Sequence, residues 1–325
     1  MKPVILSEFW MHPTVEKRPT RDGYGEALLE LGAANPDVVV LTADLAESTR
    51  ALPFGQKYPD RFIECGVAEQ NMLGVAAGLA LAGKIPFVSS YAVFSPGRNW
   101  DQLRVSVCYS KANVKIAGAH TGVSVGPDGA THQALEDLAL TRVLPGLVVM
   151  APCDAEETRK CTLAAAAYIG PVYFRFAREK TPVMTVKETP FEIGKAYVCR
   201  EGCDVTLIAC GPLLHAALMA AEELARKGIE AEVINCHTLK PLDVKTLTQS
   251  IKKTHCAVTV EEHQIAGGLF GAVAEALSRA YPVPIEPVGM PDTFGESGDP
   301  DALLAKYGLT ERTIVSAAIK TIRRK

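Results

Sequence analysis

The chain has 325 residues, enough for two domains that each bury a substantial core. Its 34 basic and 37 acidic residues leave a formal charge of −3, which excludes a global electrostatic attraction to nucleic acid or to an anionic membrane surface. Nine scattered cysteines without a CxxC pair, no signal-peptide core in residues 1–20 and no run of about 18 apolar residues point to a soluble, cytoplasmic protein. Cys199 and Cys203 lie four apart with no second pair beyond them, so no metal site is expected from this chain's own residues.

Residues 1–20 read as an irregular N-terminal arm, because Pro3, Pro13 and Pro19 interrupt any period. Residues 23–31 place Ala27, Leu28 and Leu31 at helical spacing, and Asn35, Pro36 and Asp37 supply the turn that stops the helix. The β-branched run 38–42 follows as a buried parallel strand. Strands at 85–88, 114–117, 148–150 and 172–176 then alternate with helices at 99–110, 133–140 and 155–167. This alternation predicts an α/β fold with a doubly wound first domain over 21–185, and a polar, proline-containing linker from Thr181 to Gly194. A second doubly wound domain, 191–325, is expected from strands at 205–209, 231–234 and 257–260 and helices at 213–227 and 268–280, again with a mainly parallel sheet.

Within the first domain the stretch 64–83, ECGVAEQNMLGVAAGLALAG, sets Glu69 at the head of a small-sided, apolar run. A helix from about Ala68 would put Met72, Val75, Ala76 and Leu79 on one face, while Ala76, Ala77, Gly78, Ala80 and Ala82 invite a close-packed helix partner. An acid in its first turn is favoured by the helix dipole and opposed by desolvation, a position suited to holding and passing a proton.

Ligands of open α/β sheets bind at the carboxyl ends of the strands. There the loop ADLAES, 43–48, offers Asp44 and Ser48, and the loop GAHTGVSVGPDGATHQ, 118–133, offers four glycines, two histidines and an aspartate. Each ordered glycine costs folding entropy, so such a loop reads as functional. His120 and His132 can donate to anionic or hydroxyl oxygens and are expected to titrate near neutrality, and Asp128 can accept from a sugar hydroxyl, which together describe a polyol phosphate site. Arg21 and Arg178 have the bidentate geometry of phosphate clamps, though either type also serves in surface ion pairs. Tyr91 and Phe94, in SSYAVF, suit either a core or a platform for a flat heteroaromatic ring.

From about Arg21 onward the sequence resembles the carboxy-terminal half of transketolase. The likeness is carried by ADLAES, ECGVAEQNM with its GxxEQ at 66–70, the pair Tyr91 and Phe94, GPDGATHQ followed by ALEDLALTRVLPGL, and FAREKTP, in the family's order. The resemblance implies a thiamine diphosphate pyrimidine-binding fold followed by a transketolase C-terminal domain, with thiamine diphosphate held between two chains. It implies that Glu69 bonds the ring nitrogen of the aminopyrimidine and moves its proton, that Tyr91 and Phe94 line the ring's pocket, and that Asp44 lies near the cofactor at the boundary between subunits. It further assigns Arg21, Ser48, His120 and Arg178 to a sugar phosphate, and Asp128 and His132 to its hydroxyl groups, with His120 and His132 joining Glu69 as catalytic candidates. The implied reaction moves a two-carbon ketol unit from a ketose phosphate to an aldose phosphate.

Two departures qualify the likeness. Gly97 stands where a third pocket aromatic is expected, so the wall is either completed by Trp100 or thinner. No GDG segment with a downstream asparagine is present, so Mg2+ or Ca2+ and the diphosphate are expected on an N-terminal transketolase subunit, in an α2β2 assembly, and this chain alone is expected to be inactive. The rival readings are the β chain of a 2-oxoacid dehydrogenase, deoxyxylulose phosphate synthase, and a catalytically silent subunit of the same fold.

Overall fold

Buried β-branched strands set the first sheet: every residue of Val38–Thr42 and of Val172–Phe176 is buried, as a central strand covered by helices on both faces requires. The computed structural model describes residues 3–325; Met1 and Lys2, the start of the expected arm, lie outside the described residues. Seven strands are ordered Thr238–Lys240, Val148–Met150, Val172–Phe176, Lys115–Ala119, Ile85–Tyr91, Val38–Thr42 and Phe62–Glu64. All pair in parallel except Thr238–Lys240, which runs antiparallel to Val148–Met150. That edge strand comes from the second half of the chain. The second sheet has five strands, ordered Ile285–Met290, Ala257–Gln264, Val205–Ala209, Ala231–Asn235 and Tyr197–Arg200, with only the last antiparallel. The fold is thus mixed α/β with two mainly parallel sheets.

The strand order decides where the chemistry can gather. Lys115–Ala119, Ile85–Tyr91, Val38–Thr42 and Phe62–Glu64 are successive parallel neighbours, so the loops at 120–133, 92–99, 43–48 and 65–68 all leave the same edge.

Several segments differ from their sequence pattern. Tyr91 is the last residue of its strand, and the region expected as one helix at 99–110 is a short helix, Trp100–Gln102, running into the π-helix Leu103–Tyr109. The helix expected at 133–140 is Asp137–Arg142. The helix Glu69–Leu81 buries Met72, Leu73, Ala76 and Ala77 against the strand Ile85–Tyr91, and Val75 and Leu79 are only partly covered. The helix packs on the short helix Trp100–Gln102 and the π-helix Leu103–Tyr109, while Gly74 and Gly78 face open space, where an added Cβ would meet nothing within 4 Å.

The arm and linker are held in place. Val4 N–H donates to Val198 O at 2.9 Å, Ser7 N–H donates to Met184 O at 2.8 Å, and Lys17–Pro19 pairs antiparallel with Lys180–Pro182. Asp154 caps the helix Ala155–Ala167 through Glu157 N–H and also accepts from Met184 N–H, Thr185 N–H and the Thr185 hydroxyl, all within 2.8 Å. A buried carboxylate with four donors is a rivet, and it fixes the segment that would otherwise serve as a free spacer.

Beside that rivet, Glu157 crosses between the two halves. Its Oε1 accepts from Asn235 Nδ2 at 2.7 Å and its Oε2 from Cys153 N–H at 2.7 Å. Burial first, then the charge of Asp154, push the Glu157 carboxyl up to about 7. The folded chain therefore binds a proton here that the unfolded chain releases near pH 4.5. Stability from this group is complete below that value and is lost as pH rises through about 7, on the order of 3 kcal/mol. Glu157→Gln should consequently melt near the native chain at pH 5 and gain on it as pH rises to about 8. Parallel melting curves for the two proteins across that range, followed by thermal unfolding, would contradict the assignment.

Candidate active site

Glu69 is the first residue of its helix, and its N-cap, Ala68, offers no side-chain acceptor. The carboxylate is 1% exposed. Its Oε2 accepts from Arg98 Nη1 at 2.7 Å, while Oε1 has only a 3.5 Å contact from the Ser90 hydroxyl. The turn that carries Arg98 wraps the head of the helix: Asn99 Nδ2 donates to Glu69 O at 3.2 Å, and Gln70 Nε2 donates to Arg98 O at 3.3 Å. A charge taken out of water costs several kcal/mol unless it is paired, and Arg98, 48% exposed, supplies the pairing.

The same guanidinium lies 4.6 Å from the centre of the Phe94 ring. Phe94 and Tyr91 are near-parallel, 17° between planes and 6.1 Å between centres. His120 stacks on Tyr91 at 4.0 Å, and His132 meets both rings edge-on, at 5.9 Å from Tyr91 and 5.4 Å from Phe94. Strand end and glycine-rich loop thus build one aromatic cluster.

Trp100 is not part of it. Its indole N–H donates to Leu140 O at 2.8 Å and its ring packs on the first core. Nor can Gly97 carry a ring on this backbone, since a Cβ there would sit 2.2 Å from Val93 O. Arg98, one residue later, covers Phe94 in place of the missing aromatic.

The polar side is assembled around His120, a buried residue with φ of 56°. Such a conformation is uncommon outside glycine and costs of order 1 kcal/mol or more. Its Nε2 lies 3.5 Å from Arg21 Nη1. A guanidinium can only donate, so Nε2 is the accepting nitrogen and Nδ1 carries the proton. Among the described residues neither His120 Nδ1 nor Arg21 Nε has a hydrogen-bond partner. Burial first, then the charge of Arg21, push the imidazole down to about 3. His120 is therefore a neutral N–H donor at physiological pH, which corrects the expectation that it titrates near neutrality.

Arg21 also donates to Ser48 O at 3.0 Å. The serine contributes its carbonyl, and its half-buried hydroxyl has no hydrogen-bond partner among the described residues. Arg178 and Asp128 pair with each other at 3.2 Å, and Arg178 donates to Val125 O as well. Arg50, which no motif marks, pairs with Asp22 at 2.7 Å; with Arg178 it lowers the pKa of Arg21, after burial, as neighbouring guanidinium groups do. Such a cluster favours a dianionic ligand. Asp44 is exposed with φ of 60°, and Glu64 Oε1 accepts from both Asp44 N–H at 2.7 Å and Gly66 N–H at 2.9 Å, tying the two loops together.

The second half of the chain holds the glycine-rich loop in position. Glu262 Oε1 accepts from Ser124 N–H at 2.7 Å, and Gln133 Nε2 donates to Glu296 O at 2.9 Å and to Val123 O at 3.2 Å. Gly122, with φ of 84°, is where the loop passes Glu262, and a Cβ there would lie 2.1 Å from its Oε1. Among the described residues no group of three or more His, Cys, Asp or Glu could hold a metal ion, and no helix is long and apolar enough to cross a membrane.

Comparison with known proteins bears directly on this arrangement. Residues 16–184 match the transketolase pyrimidine binding domain and residues 194–314 the transketolase C-terminal domain. The chain is 42% identical to the 6-deoxy-6-sulfo-D-fructose transketolase subunit SqwH of Clostridium sp., covering 99% of this chain and 97% of that protein. It is 38% identical to one subunit of the apulose-4-phosphate transketolase of Phocaeicola vulgatus, over 94% of this chain and 97% of that one. A split gene transketolase solved as an inactive beta4 tetramer superposes with a TM-score of 0.88 at 47% identity, covering 95% of this chain and 100% of its own. Built from these two domains and alike along nearly its whole length to transketolase subunits, the chain belongs to the transketolase family.

Proposed function

We propose that this chain is the C-terminal subunit of a split, thiamine diphosphate-dependent transketolase, transferring a two-carbon ketol unit from a ketose phosphate to an aldose phosphate once joined to an N-terminal subunit. The observation that carries the reading is the contact set of Arg98. A flat, cationic group rests on Phe94 and gives an N–H to buried Glu69, which is what an aminopyrimidine ring would require of the same two residues. The residues present therefore fit the ring. Glu69 would hold its nitrogen and move a proton there, with Oε1 or Oε2 as the accepting atom; Tyr91 and Phe94 would line its faces, with Asp44 at the boundary between subunits. When bound, thiamine diphosphate supplies the electron sink for the carbon–carbon bond broken in the ketose.

The sugar end follows from the charge distribution. Arg21, Arg178, Ser48 and the His120 Nδ1–H would take the phosphate, with Arg50 adding to the field, and two of these groups have buried atoms free to do so. Asp128 and His132 would meet the hydroxyl groups. The Arg178–Asp128 pair is partly exposed, and such pairs are worth about 1 kcal/mol or less, so a sugar phosphate can exchange it for its own bonds. The diphosphate and its Mg2+ or Ca2+ would be held by the partner through a GDG segment and a downstream asparagine, in an α2β2 assembly. The subunit names of the relatives and the inactive beta4 state of the split gene neighbour support a separate partner chain. Those relatives are named for different sugars, which supports substrate choice at the level of a class of ketose phosphates or close analogues.

Two outcomes follow. The purified chain with thiamine diphosphate and Mg2+ transfers no ketol unit, and adding an N-terminal subunit restores transfer; turnover by the chain alone would refute the need for a partner. In the assembled complex Glu69→Gln loses roughly 100-fold or more in kcat, as expected for a lost proton-transfer group, while its melting temperature stays within a few degrees. Unchanged turnover in that variant would remove Glu69 from the mechanism.

A further inference from the structure

We propose that Arg98 is a latch on the ring pocket, closed in the cofactor-free chain and displaced when the aminopyrimidine binds. The inference rests on the function proposed above and adds a residue to it. One side chain takes both positions the ring needs: Arg98 Nη1 is 2.7 Å from Glu69 Oε2, and its guanidinium lies 4.6 Å from the Phe94 centre. A flat ring cannot use that face of Phe94 while a guanidinium lies on it.

The latch is asymmetric. Glu69 is 1% exposed and among the described residues has no other cationic partner, so it needs a donor at all times. Arg98 is 48% exposed, and among the described residues its side chain donates only to Glu69, so it can exchange that bond for water. Its backbone is anchored separately, by the Arg98 N–H to Phe94 O bond at 2.8 Å and by Gln70 Nε2 on Arg98 O, so the side chain can swing while the turn stays put. Cofactor binding is then weakened by the fraction of molecules with the latch closed.

The test is calorimetric titration of the assembled two-subunit complex with thiamine diphosphate and Mg2+, and separately with thiamine and with inorganic diphosphate. Arg98→Met keeps the apolar stem and removes the charge and the fork. It should tighten both thiamine diphosphate and thiamine by roughly 3- to 10-fold, with diphosphate unchanged. Arg98→Lys keeps the charge but cannot lie flat on Phe94, and should tighten them by a smaller factor; it decides the matter if Arg98→Met does not fold. Equal or weaker binding of thiamine in these variants overturns the latch, as does a parallel change in diphosphate affinity. A native complex that binds no thiamine diphosphate would instead overturn the function on which the latch rests.

Discussion

A carboxylate withdrawn from water must be met by a cation or a hydrogen-bond donor, and the site of this chain is organised by how that demand is met at Glu69. The first turn of its helix, the turn after the strand Ile85–Tyr91 and the ring of Phe94 are placed relative to one another by the bonds that Arg98, Asn99 and Gln70 make around that acid. Remove the pairing and the helix would start with an uncompensated buried charge, a loss of the order of several kcal/mol. The contact that stabilises the resting chain and the contact that the cofactor would use are thus the same contact.

The sheet makes the convergence possible. Residues far apart in the chain meet because four neighbouring parallel strands deliver their loops to one edge, and because the second half of the chain grips the glycine-rich loop through Glu262 and Glu296. The C-terminal domain in this reading is a clamp: it lends the edge strand Thr238–Lys240 to the first sheet and shares the Glu157–Asn235 bond across the seam. His120 is held by this scaffold in a left-handed conformation and buried, with its imidazole pushed down to about 3, so it presents a neutral ring whose Nδ1 carries the proton.

Much of the scaffold was legible from local pattern. The runs at 38–42, 148–150, 172–176 and 205–209 are strands, and the Ala-rich stretch 155–167 is a helix, because β-branched runs and helical periodicity act locally. The strand Ile285–Met290 contains Pro287, which masks its strand character, whereas the helix Val244–Thr254 carries Val244, Leu247 and Ile251 at helical spacing behind an Asp243 cap, so its signal was present in the sequence. Thr238–Lys240 is a strand only because a partner strand waits in the other sheet, information no local window holds. At the site, the acid, the aromatic pair and both histidines could be picked out by type and spacing, and the structure brings them together. Arg98 and Arg50 could not, because a lone arginine after a turn residue reads as a solvated charge. Trp100 misled for the complementary reason: a large aromatic near a pocket is as readily a core residue, and the indole N–H to Leu140 O turns it inward.

The central claim is that Glu69 meets a thiamine ring at a boundary completed by a second subunit. A crystal structure of the assembled complex with thiamine diphosphate tests it most directly. The expected result is a Glu69 carboxyl oxygen about 3 Å from a ring nitrogen, the ring against Tyr91 and Phe94, and the diphosphate on the partner subunit. A ring bound elsewhere, or a Glu69 still paired with Arg98 and out of reach of the bound cofactor, would contradict it.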